Sequence, residues 1–536
     1  MDQAQDAHGR ALALAREGRL EAALAGLGDA EIAENARALG LRGTLLAMSG
    51  QPKQALEAFE RSVILDPSQP AVHADMGSAL VQLKRTKDAI ACFDRALEID
   101  PSYLVALNNR CIQWLELREP ELALADAVKA LAINPSLTSA LRIRARANIM
   151  LRRFEDARLD AERAVESEPG RAYNHTLFAM ALDSLGRYDE ALLAFNRAVA
   201  LSPDDAPLIK NRALLRLRIR DFPGGWEDFE SRWRSKFFLT PSLQLQLERL
   251  PRLDLNNSAA DLAGKRVLVL CEQGTGDQIM FASALPDLAA ICARVVCVVD
   301  IRLQSLFDNS FPGVETQPNR LNLEGLDLNT FDRIIPLGSL GKAFRNRIED
   351  FPGTPYLKPQ PETVAAWREK LGPRRAPMRV GIAWRGGTPK TGTDYRSLNL
   401  ETLRPLLIRS DCEFVSLQYG KVAGEVAQAN ASLPMPIRLF PREETENFEH
   451  QAGLVQALDI VVSVQQALIH LCGAIGAPCL AMLPSITEWR YGIGDETMPW
   501  YGDAVRLIRQ DRQGDWGSVF DQVGAELEHL AALTQP

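Results

Sequence analysis

A step of 34 residues runs through the first part of this chain and constrains its fold more than any other feature. Alanine recurs at that interval as Ala55, Ala89, Ala123, Ala157 and Ala191. Proline recurs as Pro67, Pro101, Pro135, Pro169 and Pro203. A second small position runs Ser62, Ala96, Ala130, Ala164, Ala198, and a third runs Gly43, Gly77, Cys111, Ala145, Ala179. Paired helices need small side chains where they cross and a chain-breaker where the second helix ends. Four positions kept in register over five units argue against an Ala-rich bundle with chance spacing. The stretch Ala11 to Leu27, with Gly18 and Ala23, reads as a degenerate first unit that caps the stack. After Pro203 a sixth unit begins with Leu208 to Arg220. Pro223, Gly224 and Gly225 alter its second helix ahead of Trp226 and Phe229, which marks the far end.

This pattern resembles the tetratricopeptide repeat over roughly residues 4 to 235. The resemblance implies an all-α superhelix with a concave face. No unit carries a catalytic group, so the expected role of this half is to hold a protein or peptide.

A chain of 536 residues is too long for one core, and two or three domains are expected. A net charge of −8 implies no general attraction to nucleic acid or to an anionic membrane surface. No apolar run reaches the roughly 18 residues that span a bilayer. Met1 to Arg10 has no signal-peptide core, so a cytoplasmic protein is expected. The eight cysteines lack C-x-x-C spacing and read as reduced, mostly buried thiols. The six histidines show no zinc-ligand spacing, so no metal is expected.

The 34-residue pattern stops near Lys236, and residues 236–262 read as a linker rich in loop punctuation, such as Pro241, Pro251, Asn256 and Asn257. Trp226 and Trp233 either pack the last repeat against the next domain or belong only to the repeat's own core. From residue 263 the pattern changes to alternating strands and helices. Val267 to Cys271 is a short β-branched run, as expected of a buried parallel strand. It leads into Glu272-Gln273-Gly274-Thr275-Gly276-Asp277 and an apolar helix, an arrangement that leaves backbone N–H groups free at a helix N-terminus. Further strands are expected at Val295 to Val299 and Arg333 to Pro336. The turn is not the dinucleotide fingerprint, which would need glycine at Ile279. Asp277 reads as a helix N-cap or as a general base.

The second half, from residue 376, opens on the strand Arg379 to Trp384 and the turn Arg385-Gly386-Gly387-Thr388-Pro389-Lys390. Two glycines, a hydroxyl and two cations suit a phosphate cradle or a basic surface loop. The next strand and turn is Phe414-Val415-Ser416-Leu417-Gln418-Tyr419-Gly420, and a further strand follows at Asp459 to Val464. The second of these enters Gln465-Gln466-Ala467 and a small-residue helix with His470 one turn in. A histidine there serves as a core hydrogen-bonder as often as a functional group. The last strand, Cys479 to Leu483, precedes Glu488-Trp489-Arg490. Trp489 is a candidate stacking plate and Arg490 a phosphate or carboxylate partner, or both pack across the cleft.

The run E-Q-G-x-G-D behind a tetratricopeptide array resembles bacterial repeat-fused glycosyltransferases. Their sugar-transferring part is similar to the lipopolysaccharide heptosyltransferases of the two-Rossmann GT-B fold. The block Pro484 to Gly492 with Met498 to Tyr501 resembles the same family. The stretch His470-Leu471 to Pro478 also matches, but Gln465-Gln466-Ala467 stands where the heptosyltransferase-like families carry an Asp-Thr-Ser or Asp-Thr-Gly run. That departure suggests a different donor. The resemblance implies a multidomain protein, an all-α tetratricopeptide superhelix followed by an α/β GT-B unit. It implies halves at 263–375 and 376–536 and a C-terminal helix that returns to the first half. Asp277 matches the family's proposed base. Gly274, Thr275, Gly276, Arg385, Lys390, Gln418, Gln465, Gln466, His470, Glu488, Trp489 and Arg490 are the candidate donor-binding residues. No resident cofactor is expected, only a nucleotide-sugar substrate without a metal.

Both halves resemble the flagellin glycosyltransferases of stalked alphaproteobacteria, and the domain order matches the eukaryotic O-GlcNAc transferase. The resemblance implies sugar transfer, of a nonulosonic acid such as pseudaminic acid, to Ser/Thr of flagellin held by the repeats. Two alternatives stand beside it. One is a non-catalytic scaffold with a decayed transferase domain, and the other is a saccharide-modifying transferase.

Overall fold

The computed structural model describes residues 3–28, 32–234, 258–318, 323, 326–387 and 393–533. They form two compact units, Met1–Pro203 and Asp204–Pro536. The expected linker falls mostly on residues 235–257, outside the described residues.

The first unit is all α, built of antiparallel helical pairs. First helices begin at Ala36, Pro70, Leu104, Thr138 and Ala172, and second helices at Pro52, Thr86, Pro120, Phe154 and Tyr188, each series stepping by 34 residues. The repeated prolines come just after the last residue of each second helix, as expected of a helix stop. The small positions lie where the helices cross, and in the first four pairs their size is matched across the pair. Where the first helix has Gly43 or Gly77, the second presents Phe59 or Phe93, and a Cβ on either glycine would collide with the ring. Where the first helix has Cys111 or Ala145, the second has the small Ala127 or Ala161, all fully buried. A second periodic feature was not read from the sequence. Arg110 grips Asp126 through two hydrogen bonds of 2.7 and 2.6 Å, and Arg144 grips Asp160 one repeat later with the same distances. The aspartates are buried, so each needs its charged partner.

The first compact unit ends at Pro203, although the repeat pattern continues beyond it. The sixth pair, Ala206–Arg218 and Phe222–Phe229, keeps the 34-residue register and the bidentate Arg212–Asp228 bond. Gly225 does not alter the repeat but occupies its small position, one step after Ala191, where any Cβ would meet Leu217. The pair changes allegiance because its second helix carries Phe222, Trp226 and Phe229. These enter the core of the second unit, beside Phe281, Phe351 and Trp489. Of the two readings of Trp226, the structure supports packing against the next domain.

The second unit contains two open sheets. Strands β1 (Arg266–Leu270), β2 (Arg294–Val299), β3 (Glu315–Pro318) and β4 (Arg333–Pro336) form an all-parallel sheet in the order β3-β2-β1-β4. Strands β5 (Met378–Ala383), β6 (Cys412–Ser416), β7 (Ile460–Val464), β8 (Cys479–Leu483), β9 (Thr497–Met498) and β10 (Gly502–Arg509) take the order β6-β5-β7-β8-β10-β9. Only β9 runs antiparallel in this second sheet. The central strands are apolar on both faces because helices cover both. In each sheet the order reverses beside the first strand, between β1 and β4 and between β5 and β7. Open α/β sheets bind ligands at the carboxyl ends of such strands. The C-terminal helix Gly517–Leu533 does not return to the first half as the resemblance implied. Its Val519, Phe520, Val523 and Leu527 pack with Met378, Val380, Ile382 and Met482 of the second sheet.

Among the described residues, no helix is long and apolar enough to cross a membrane. No cluster of three or more His, Cys, Asp or Glu side chains among them is arranged to hold a metal ion. All eight cysteines are free thiols.

Candidate functional site

A cavity of about 1130 Å³ opens inside the second unit, lined from the carboxyl ends of β1, β5, β6 and β7 and from the loop after β8. That volume has room for a small-molecule ligand.

The turn after β1 is held from behind. Glu272 is buried and accepts from Arg232 at 3.0 Å, and the same guanidinium donates to Ser339 after β4 at 2.8 Å. Gln278 donates to the Gln273 carbonyl at 2.8 Å and accepts from the Asp300 N–H at 3.1 Å. Gly274 is the N-cap of the helix Thr275–Phe281, and Asp277 sits in its first turn without capping it. Gly274, Thr275, Gly276 and Asp277 all line the cavity. Gly276 has a second role, because a Cβ there would come within 3.1 Å of Ala467 Cα and 3.2 Å of His470 Cδ2. Its missing side chain lets this helix touch the helix Ala467–Ile475 of the other sheet.

Asp277 bonds across the cleft, its Oδ1 accepting from Arg490 Nη2 at 2.5 Å. Burial disfavours the charged Arg490, but the carboxylates of Asp277 and Glu488 outweigh it and raise its pKa. The two candidates that sequence placed 213 residues apart are thus one ion pair. His470 is buried, with Nδ1 2.9 Å from the Tyr501 hydroxyl. Burial and then the Arg490 charge push its pKa well down, so it borders the cavity as a neutral imidazole.

The turn after β5 corrects several expectations. Gln418 is spent on backbone: its Oε1 accepts from the N–H groups of Trp384 and Arg385, both at 2.7 Å, and its Nε2 donates to the Arg385 carbonyl at 3.1 Å. It shapes the turn and borders the cavity. Arg385 pairs with Glu425 at 2.9 Å, its side chain 41% exposed, and it is not among the cavity-lining residues. Lys390 lies outside the described residues. Arg385→Ala is therefore expected to weaken binding of any anionic ligand in this cavity by less than about 0.5 kcal/mol, which calorimetry would check. A loss of more than about 1.5 kcal/mol would return Arg385 to the anion-binding set.

Among the described residues of this segment, the cation that lines the cavity is Arg396, which was not a candidate from sequence. It is 7% exposed and pairs with Glu488 at 3.3 Å. Gln465 and Gln466 also line the cavity. Gln466 is the N-cap of the helix Ala467–Ile475, and its Nε2 donates to Ser463 Oγ at 3.3 Å. Gln465 is buried, and its carbonyl lies so close to Gly386 that a Cβ there would overlap it.

Trp489 is not a stacking plate. It is 4% exposed and sits among Trp226, Phe229, Phe281 and Trp500, with ring centroids 5.7 to 6.3 Å apart. The aromatic ring open to solvent at the cavity is Tyr419, 55% exposed, whose hydroxyl donates to the Gly387 carbonyl at 3.3 Å. Its place at the end of β6 was visible in the sequence, but its exposure was not.

Tetratricopeptide repeat models match residues 46–107 and 144–206, so the N-terminal half is an array of such repeats. YrrB, described as a TPR protein with an unusual peptide-binding site, is 20% identical, covering 35% of this chain and 96% of its own, with a TM-score of 0.31. A tetratricopeptide repeat protein from Parabacteroides merdae is 16% identical, covering 46% and 98%, with a TM-score of 0.38. The chain is 30% identical over 352 residues to Protein FlbA of Caulobacter vibrioides. That match takes in 62% of this chain and spans 56% of the relative's length. Being longer than the first unit, which ends at Pro203, it extends into the α/β unit.

Proposed function

We propose that this chain is a protein O-glycosyltransferase of GT-B type, moving a sugar from a nucleotide-sugar onto a Ser or Thr hydroxyl of a protein held by the repeats. The observation that carries the reading is the convergence on one cavity of the turn after β1, bearing Asp277, with the segments after β5 and β7, bearing Arg396 and Gln465, and with Arg490 paired to Asp277. In the reaction, Asp277 takes the proton of the acceptor hydroxyl as its oxygen attacks the anomeric carbon. The bond from that carbon to the leaving phosphate breaks, and the phosphate departs with the electron pair. Arg490, Arg396 and the N-terminus of the helix Ala467–Ile475 stabilise the charge that develops. The resemblance of both halves to flagellin glycosyltransferases supports flagellin as the acceptor and a nonulosonic acid as the transferred sugar in this reading.

A rival reading, a non-catalytic scaffold, draws on the ion pair that already engages Asp277. Intact-mass measurement of flagellin from cells with and without the gene separates the two. Transfer predicts a loss of whole sugar masses when the gene is absent, and unchanged masses would favour the scaffold.

A further inference from the structure

We propose that Arg396, rather than the turn cation Arg385, receives the anionic group of the cleft's ligand, with Gln465 as its neutral companion. The inference rests on the cavity being the donor site. Arg396 and Gln465 are 7% and 2% exposed, and both line the cavity. Their Nε and Nε2 atoms have no hydrogen-bond partner among the described residues. Buried donors without partners are uncommon and costly, and here both belong to side chains that line one cavity, where a ligand can bring an acceptor to the pair.

The backbone is built to admit this guanidinium. Gly387 has φ +78°, and a Cβ there would run into the Arg396 guanidinium. Gly386, next to it, has room for no side chain against the Gln465 carbonyl. The two glycines that looked like a phosphate cradle instead clear space for an arginine from the following helix and for the β7 turn. Glu488 takes only one corner of the fork, at 3.3 Å, so the guanidinium is held in place with a donor to spare. An arginine fork meets a planar or tetrahedral oxyanion through paired N–H bonds, so the ligand group is a phosphate or a carboxylate.

Calorimetry on the full chain tests this with CMP, UMP, cytidine, uridine, inorganic phosphate, N-acetylneuraminate and its methyl ester as probes. CMP or UMP binding where the nucleoside does not would mark a phosphate at the site. N-acetylneuraminate binding where its ester does not would mark a carboxylate. In either case R396Q should weaken the anionic probe by about 10- to 100-fold, R396K by less, and R385Q by no more than about twofold. Melting curves of each variant identify any that misfold, and R396K keeps the charge should R396Q be unstable. Nucleotide binding that survives both folded Arg396 variants would overturn the inference and leave the transferase reading standing. Arg396-dependent binding of phosphate or N-acetylneuraminate with no binding of nucleotides would support the inference and count against that reading. Binding of none of the probes by the wild-type chain would overturn both.

Discussion

Asp277→Asn is expected to lower sugar transfer by roughly 10²- to 10⁴-fold, the usual contribution of a general base, in a protein that still folds. The structure removes the competing explanation. The helix Thr275–Phe281 is capped by Gly274, and the Asp277 side chain makes no capping bond. Its bond is to Arg490, and asparagine keeps an oxygen that can accept from that guanidinium. What is lost is the negative charge: a helix N-terminus favours it by about 0.3–1 kcal/mol, and Arg490 loses one of its two nearby carboxylates. The total destabilisation should stay below about 2 kcal/mol. The glycosylated fraction by mass spectrometry, beside a melting curve of the same variant, separates chemistry from folding. Full modification by a normally folded Asp277→Asn chain would end the catalytic assignment.

Trp226→Ala is expected to cost the second unit about 3–5 kcal/mol, a large share of the roughly 5–15 kcal/mol that holds a typical domain. The ring is 1% exposed and touches Phe222, Phe229, Phe281 and Trp489. Its Nε1 donates to the Arg345 carbonyl at 2.7 Å, so truncation also strands a buried acceptor. Gly341 lies so close to the ring that a Cβ there would fall within 3.0 Å of it, which shows how tightly the site is filled. Denaturant unfolding of the full chain, followed by tryptophan fluorescence, would report the change. The repeats of residues 1–203 should unfold as in the wild type. A loss smaller than about 1 kcal/mol would mean that the sixth pair is not part of the second unit's core.

How much of this was legible depends on whether a residue's role is fixed locally. The crossing positions of the repeats were readable because a helix pair tolerates only small residues there, as Gly43 beside Phe59 illustrates. Strands β4 and β8 were placed to the residue because their apolar runs end at turns. Strand β10 was missed because its exposed and buried residues mix, as suits a strand beside the sheet's edge. The site was harder. Arg385 and Arg396 are the same residue type on either side of one turn, and what separates them is Glu425, forty residues on from the first of them, and the bare backbone at Gly387. Trp489 had the composition of a stacking plate, but its partners come from helices hundreds of residues earlier in the chain. Asp277 was singled out because it follows a strand and glycine turn and matches the family's motif, and it lines the cavity. That it would meet Arg490 could not be read, since that contact exists only when two sheets close on each other.

The sixth helical pair has a consequence for how such a protein can change over generations. Because that pair folds into the unit that carries the cleft, every helix pair ahead of Pro203 is interchangeable as far as the cleft's own core is concerned. Gain or loss of a whole 34-residue unit would add or delete a helix pair in frame and leave the register of the others unchanged. Copy number could then drift, and with it the size of partner the array accommodates, while the aromatic cluster behind Asp277 and Arg490 stayed intact.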